Sequence, residues 1–246
     1  MADYDINSQL IPFDGLLNSR DLGKMPLKNG KVFPEKFVIR SDSPSNLTAE
    51  QCEKIKAYGV NRVIDLRSTL EVDHDGNPFK DMPGVDFFNI PLFIGDPNKD
   101  DNPTISFLRT HKLGDFYVWV LEELGDRICE VLRRITENKD GITLYHCAHG
   151  KDRTGIISAF LYLLAGASRE HIIENYRCSY HFMKPILDPL IANIEPGLKH
   201  ILGSDQENME ILLNYIDSKY DGNIENYLLE QGMTSDEIKE LRSRMI

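Results

Sequence analysis

Short, largely apolar runs rich in β-branched residues recur at Phe37–Ser41, Arg62–Leu66, Val85–Ile90 and Ile142–Tyr145. Each is too short for a helix and is bounded by polar or turn-forming residues, so each predicts a buried strand. Helical patterning separates and follows them. Thr48–Tyr58 reads as a helix, opened by a capping box between Thr48 and Gln51 and closed by Gly59. Ser106–Leu124 and Asp126–Glu137 read as two helices broken near Gly125, and Thr154–Ala165 as a long apolar helix closed by Gly166. Further helices are predicted at Arg169–Arg177, Ile186–Ile194, Asn208–Ser218, Ile224–Glu230 and Ser235–Ser243. Strand–helix–strand alternation predicts an α/β fold, a mostly parallel central sheet flanked by helices. Ligands then bind at the carboxyl ends of the strands.

The stretch between the last strand and its helix, Ile142 to Gly155 (ITLYHCAHGKDRTG), carries the clearest chemistry. Its loop starts with Cys147, turns at Gly150 and ends in Arg153. A loop running into a helix supplies backbone N–H groups that point one way, with the helix dipole behind them, and so suits a phosphate. Gly150 permits the backbone such a cradle needs. Arg153 offers a planar fork for two phosphate oxygens, which lysine cannot match. A thiolate at the mouth of that cradle is a nucleophile aimed at phosphorus. Lys151 adds positive charge beside the anion and suits a substrate with more than one phosphate. Asp152 is out of place beside an anion unless it is protonated when substrate binds; it would then protonate the leaving oxygen. Thr154 is either a plain first-turn residue or a hydroxyl that stabilises the departing thiolate.

The run His146-Cys147-Ala148-His149-Gly150-Lys151-Asp152-Arg153-Thr154-Gly155 resembles the signature loop of cysteine-dependent tyrosine phosphatases. Its Gly-Lys-Asp-Arg-Thr form is similar to that of a narrower group, the atypical bacterial tyrosine, dual-specificity and lipid phosphatases, best known from a secreted mycobacterial enzyme. Asn18–Gly23, Arg40-Ser41, Val63–Ser68 followed by Glu71, and the C-terminal run from Asp221 resemble segments of the same group in the same order, so the likeness spans roughly residues 12–245. The resemblance implies a tyrosine-phosphatase-like three-layer sandwich, a single phosphatase domain over 1–246, and no metal or cofactor. It also implies a phosphorylated protein, peptide or phosphoinositide as substrate. Cys147, Asp152 and Arg153 would be catalytic, and Ala148, His149, Gly150, Lys151, Arg153 and Thr154 would bind substrate. Related enzymes carry helical lids, and Tyr176–Leu190, within 176–205, is either such a lid or an amphipathic helix packed on the core. Many cysteine phosphatases keep the acid on a separate loop, so Asp96, Asp100 and Asp101 stand as alternatives to Asp152. Asp65 and Arg67 read as a buried ion pair, His146 as an organiser of the loop, and Asn18, Arg20 and Asp21 as ties between the N-terminal segment and the site.

The net charge of −11 argues against nucleic-acid binding and against attraction of the whole surface to anionic membranes. It leaves room for a basic mouth built from His149, Lys151 and Arg153. Cys52, Cys129 and Cys178 form no Cys-x-x-Cys pair with one another or with Cys147, and read as ordinary helix residues in a reducing compartment. No apolar leader or spanning run is present, so the cytoplasm is the default location, with a processed secreted protein as the alternative and no integral membrane association. Two other classes share a cysteine in an anion loop: a phospho-ligand binding module without catalysis, and an arsenate reductase or sulfurtransferase. The intact Cys147 and Arg153 disfavour the first, and the Lys-Asp-Arg-Thr ending disfavours the second.

Overall fold

The computed structural model describes residues 4–93 and 102–246. Its sheet has strands β1 (Arg20–Asp21), β2 (Val38–Ser41), β3 (Val60–Asp65), β4 (Asp86–Asn89) and β5 (Ile142–His146), in the order β1-β2-β5-β3-β4. All neighbours are parallel except β1, which runs antiparallel along β2. The register sets Ser41 and Asp65 opposite His146, and Asn89 opposite Asp65, so the carboxyl ends of four strands share one rim.

Alternation along the strands divides the core. Ile39, Val63 and Leu144 face one cluster with Cys52 and Ile55 of helix α1 (Ala49–Tyr58). Val38, Ile64 and Tyr145 face the larger cluster, built on helices α4 (Leu113–Glu123), α5 (Gly125–Glu137), α6 (Asp152–Ala165) and α8 (Gln206–Lys219). The predicted sheet between helical layers is therefore the observed one. Helix α6 is buried along most of its length, which explains why it is apolar all round. The predicted Thr48–Gln51 capping box forms, and Gly59 ends α1 at φ 122°.

Two expectations are corrected. The single helix expected over Ser106–Leu124 is two, α3 (Pro103–Leu108) and α4, because Thr110 and His111 fold back on Phe107 and an extended Lys112 starts a new helix capped by Asp115. Conversely, the separate helices at Arg169–Arg177 and Ile186–Ile194 are one, α7 (Arg169–Asn193), which runs through Pro185 and Pro189. Each proline removes an N–H, but this half of α7 lies at the surface, with Ile186 and Leu190 about half exposed, so the freed carbonyls can reach water. Helix α2 (Thr69–Asp75) was not anticipated; Ser68 and Glu71 form its capping box. Two short helices, α9 (Ile224–Glu230) and α10 (Ser235–Ser243), close the chain where predicted. No helix of the described residues is long and apolar enough to cross a membrane.

Candidate active site

The loop from Cys147 to Lys151 leaves the carboxyl end of β5 and enters α6. Cys147 is buried, with 2% of its surface exposed. Gly150 adopts φ 63°, and a Cβ there would lie 2.4 Å from the Ser41 carbonyl oxygen, so both the turn and the space require glycine.

The loop's carbonyls are all engaged from behind. The ring of His146 donates to Cys147 O (3.0 Å) and the backbone N–H of Ser43 to Ala148 O (3.0 Å). Asn18 Nδ2 donates to His149 O and Gly150 O (both 3.0 Å), and Arg40 Nη2 to Gly150 O (2.7 Å). Lys151 O accepts from the Gly155 N–H (2.8 Å). By contrast, the backbone N–H groups from Ala148 through Thr154 meet no acceptor among the described residues. A loop with its acceptors spent and its donors free, continued by a helix N-terminus, is built to receive an anion. Asn18 is fixed by Arg20 Nη2 (3.1 Å), so the expected tie from the N-terminal segment reaches the loop itself.

The source of positive charge differs from the expectation. His149 is held down to about 4 by burial and then by neighbouring Lys151, so it is neutral at pH 7. Lys151 is fully buried, and its ammonium donates to Asp152 Oδ1 (2.7 Å), Ile201 O (3.0 Å) and Gly203 O (2.6 Å), which uses its three donors. Arg153 is paired with Glu71 through both nitrogens (2.7 and 3.0 Å) and lies over the Phe93 ring. Burial opposes the Arg153 charge, but Glu71 outweighs it and raises the pKa further. The mouth is therefore not a basic trio. Instead, Arg20 and Arg40 lie fully buried behind the loop and form no ion pair among the described residues. Burial, and then the like charge of Arg20, lower Arg40 to about 10, which leaves it charged at neutral pH. Sequence reading had given Arg40 no role, although a charge ending the apolar run Phe37–Ile39 was the available signal. Glu71 was likewise visible only as part of a motif.

A second buried network supports the strand end. Arg67 grips Asp65 (Nη2–Oδ2 2.7 Å), as expected. Burial alone would raise the Asp65 pKa, but the Arg67 guanidinium and the Asn77 amide hold it below the ordinary carboxylate range. Asn77 Nδ2 donates to Asp65 (3.0 Å) and to His146 Nε2 (2.9 Å). With Nε2 accepting, the proton of the buried, neutral imidazole is on Nδ1, facing Cys147 O.

Asp152 opens α6, and its Oδ1 also accepts from Tyr117 Oη (2.5 Å). The Thr154 hydroxyl is buried without a partner among the described residues. Asp96, Asp100 and Asp101, the alternative acids, lie outside the described residues. Cys52 and Cys129 are buried helix residues, as expected, while Cys178 lies against Arg20. Among the described residues no cluster of three or more His, Cys, Asp or Glu side chains could hold a metal ion.

The structure thus brings together a thiol at a strand end, an arc of amides without acceptors among the described residues and an arginine fork fixed by Glu71. The chain belongs to the tyrosine phosphatase family, whose model matches residues 11–246, and is a protein-tyrosine phosphatase. It is 28% identical over 233 residues to a tyrosine-protein phosphatase of Nostoc commune, covering 90% of this chain and 78% of that one. It is 26% identical over 171 residues to a putative tyrosine-protein phosphatase of Cupriavidus necator, covering 68% of this chain and 61% of that one. Among solved structures it is similar to P. aeruginosa TpbA, free and as a cysteine-to-serine variant with phosphotyrosine. These share 14% identity, with TM-scores of 0.42 and 0.41, and the match covers 80% of this chain and 86% of theirs.

The loop geometry carries a prediction. Gly150→Ala would force the turn out of φ 63° or push Ser41 away, misplacing the amide arc. It is expected to lower kcat/KM on an aryl phosphate by about 10²-fold. Wild-type kinetics in the alanine variant would show that the turn is not needed.

Proposed function

We propose that this chain is a single-domain, metal-independent phosphomonoester hydrolase of the narrower bacterial group, acting on phosphotyrosine through a cysteinyl-phosphate on Cys147. The observation that carries this reading is the run of free backbone N–H groups from Ala148 to Thr154, beside Cys147 and backed by two buried arginines. Cys147 attacks phosphorus, and the ester oxygen leaves. The amides and the Arg153 fork hold the equatorial oxygens through the transition state. Asp152 protonates the departing oxygen, then takes a proton from the water that cleaves the S–P bond. The unpartnered Thr154 hydroxyl is available to the thiolate as it departs.

Phosphotyrosine is preferred over polyphosphorylated inositols because the phosphoinositide alternative relies on Lys151 as a second phosphate clamp. Its ammonium is committed to Asp152 and to the carbonyls of Ile201 and Gly203. The test is phosphate release from a matched panel of phosphotyrosine, phosphoserine and phosphothreonine peptides, phosphoinositides and soluble inositol phosphates, with Cys147→Ser as blank. Preference for the inositol compounds would overturn the substrate reading, and release from none would overturn the enzyme reading.

Asp152→Asn separates acid catalysis from loop positioning. The expected loss is about 10²-fold or more on phenyl and alkyl phosphates but much less on nitrophenyl phosphates, whose leaving groups need little protonation. Equal losses across the series would mean that Asp152 positions the loop and transfers no proton.

A further inference from the structure

Asp152 is held by more than its own loop. Its Oδ1 accepts from both Tyr117 Oη and Lys151 Nζ, whereas Oδ2 has no partner among the described residues. Tyr117 (on α4) and Tyr176 (on α7) are fully buried, with their hydroxyls 2.7 Å apart, and Asn208 Nδ2 (on α8) lies 3.3 Å from the Tyr176 hydroxyl.

The direction of this chain is fixed at its two ends. The Gly114 N–H can only donate, and it points at Asn208 Oδ1 (3.2 Å), so Asn208 presents its NH2 group to Tyr176. Tyr117 has one proton, which goes to Asp152 Oδ1, so Tyr176 donates to Tyr117 and accepts from Asn208. Each bond polarises the next, so the sequence strengthens its last member. Burial first, and then the neighbouring Asp152 carboxylate, push Tyr117 well above the ordinary tyrosine range, which keeps it a donor. The space for this chain is also built in. A Cβ at Gly155 would lie 3.1 Å from the Tyr176 ring, and one at Gly114 2.7 Å from Ile211 Cδ1 and 2.9 Å from Asn208 O. Small residues therefore stand where α6 meets Tyr176 and where α4 meets α8.

We propose that Tyr117 is a positioning residue that fixes which oxygen of Asp152 carries the proton: Oδ1 is occupied by Tyr117 and Lys151, so Oδ2 gives its proton to the leaving oxygen. In the second step Oδ2 accepts a proton from water as the water oxygen bonds to phosphorus and the S–P bond breaks, which returns the thiolate and an Asp152 protonated at Oδ2. Tyr117 exchanges no proton; it stops the carboxyl from rotating between its oxygens. Tyr176 and Asn208 act on Asp152 only through Tyr117. The inference rests on the reading of Asp152 as the acid.

The test is kcat/KM, which reports thiolate phosphorylation, across aryl phosphates from dinitrophenyl to phenyl, for wild type, Tyr117→Phe, Tyr176→Phe and Asp152→Asn. Tyr117→Phe is expected to keep the dinitrophenyl rate within about twofold and to lose about tenfold on phenyl phosphate, a fraction of the full acid contribution. Tyr176→Phe should show the same trend, weaker, and keeps the question answerable if Tyr117→Phe does not fold. A steep leaving-group dependence in Asp152→Asn with flat losses, or none, in the tyrosine variants would overturn this inference and leave the acid in place. A flat response in Asp152→Asn would remove the acid reading itself.

Discussion

Cys147→Ser is expected to abolish phosphate release, by a factor on the order of 10⁵–10⁶, the scale seen when an enzyme loses its nucleophile. The serine hydroxyl is not ionised at neutral pH and is a poor nucleophile without an adjacent base. The adjacent imidazole, His146, is occupied, with Nδ1 on Cys147 O and Nε2 accepting from Asn77. Binding should survive. The donors that face the anion are the backbone N–H groups from Ala148 to Thr154, and their carbonyls are anchored by Asn18, Arg40 and Ser43, none of which the substitution touches. The Kd of a phosphotyrosine peptide should therefore change by less than about tenfold, or about 1.4 kcal/mol. Appreciable residual turnover would rule out Cys147 as the nucleophile. Loss of binding along with turnover would instead make the sulfur part of the cradle.

The second large effect is expected at Arg153. Glu71 holds both terminal nitrogens of its guanidinium, and Phe93 lies against its face, so the fork is fixed before substrate arrives. Lysine keeps the charge but loses the planar pair of donors and the bidentate grip on Glu71. Arg153→Lys should lower kcat/KM by about 10²–10³-fold, equivalent to roughly 2.7–4 kcal/mol of lost transition-state stabilisation. The loss should fall mainly on kcat, because the spread of charge over the equatorial oxygens is greatest in the transition state. A variant within a few-fold of wild type would show that the charge alone suffices and that the Glu71 clamp has no catalytic consequence.

What sequence could show follows from how local each feature is. The β5–loop–α6 unit is contiguous, so its apolar strand, its glycine and its apolar helix were all legible, as was the Thr48 capping box. The support of the loop is not contiguous. Asn18 reaches it from the segment before β1, Arg40 from β2 and Glu71 from α2, and Tyr117, Tyr176 and Asn208 from three separate helices. Their residue types have ordinary uses elsewhere. Glu71 does serve as a helix cap, and its second role at Arg153 depends on tertiary packing. Lys151 shows the same difficulty in reverse. Its place in the loop suggested contact with the anion, but the chain at Ile201 and Gly203 offers carbonyls that draw the ammonium the other way. Pro185 and Pro189 misled for a different reason: a surface helix can leave carbonyls to solvent that a buried one could not.

The central claim is that phosphate passes through the sulfur of Cys147. Its most direct test is to quench wild-type protein rapidly during turnover of a phosphotyrosine peptide and locate the phosphoryl group by mass spectrometry. The expected result is one phosphoryl group on the Cys147 peptide, absent from Cys147→Ser. Phosphate on another side chain, or turnover at the wild-type rate in Cys147→Ser, would contradict it.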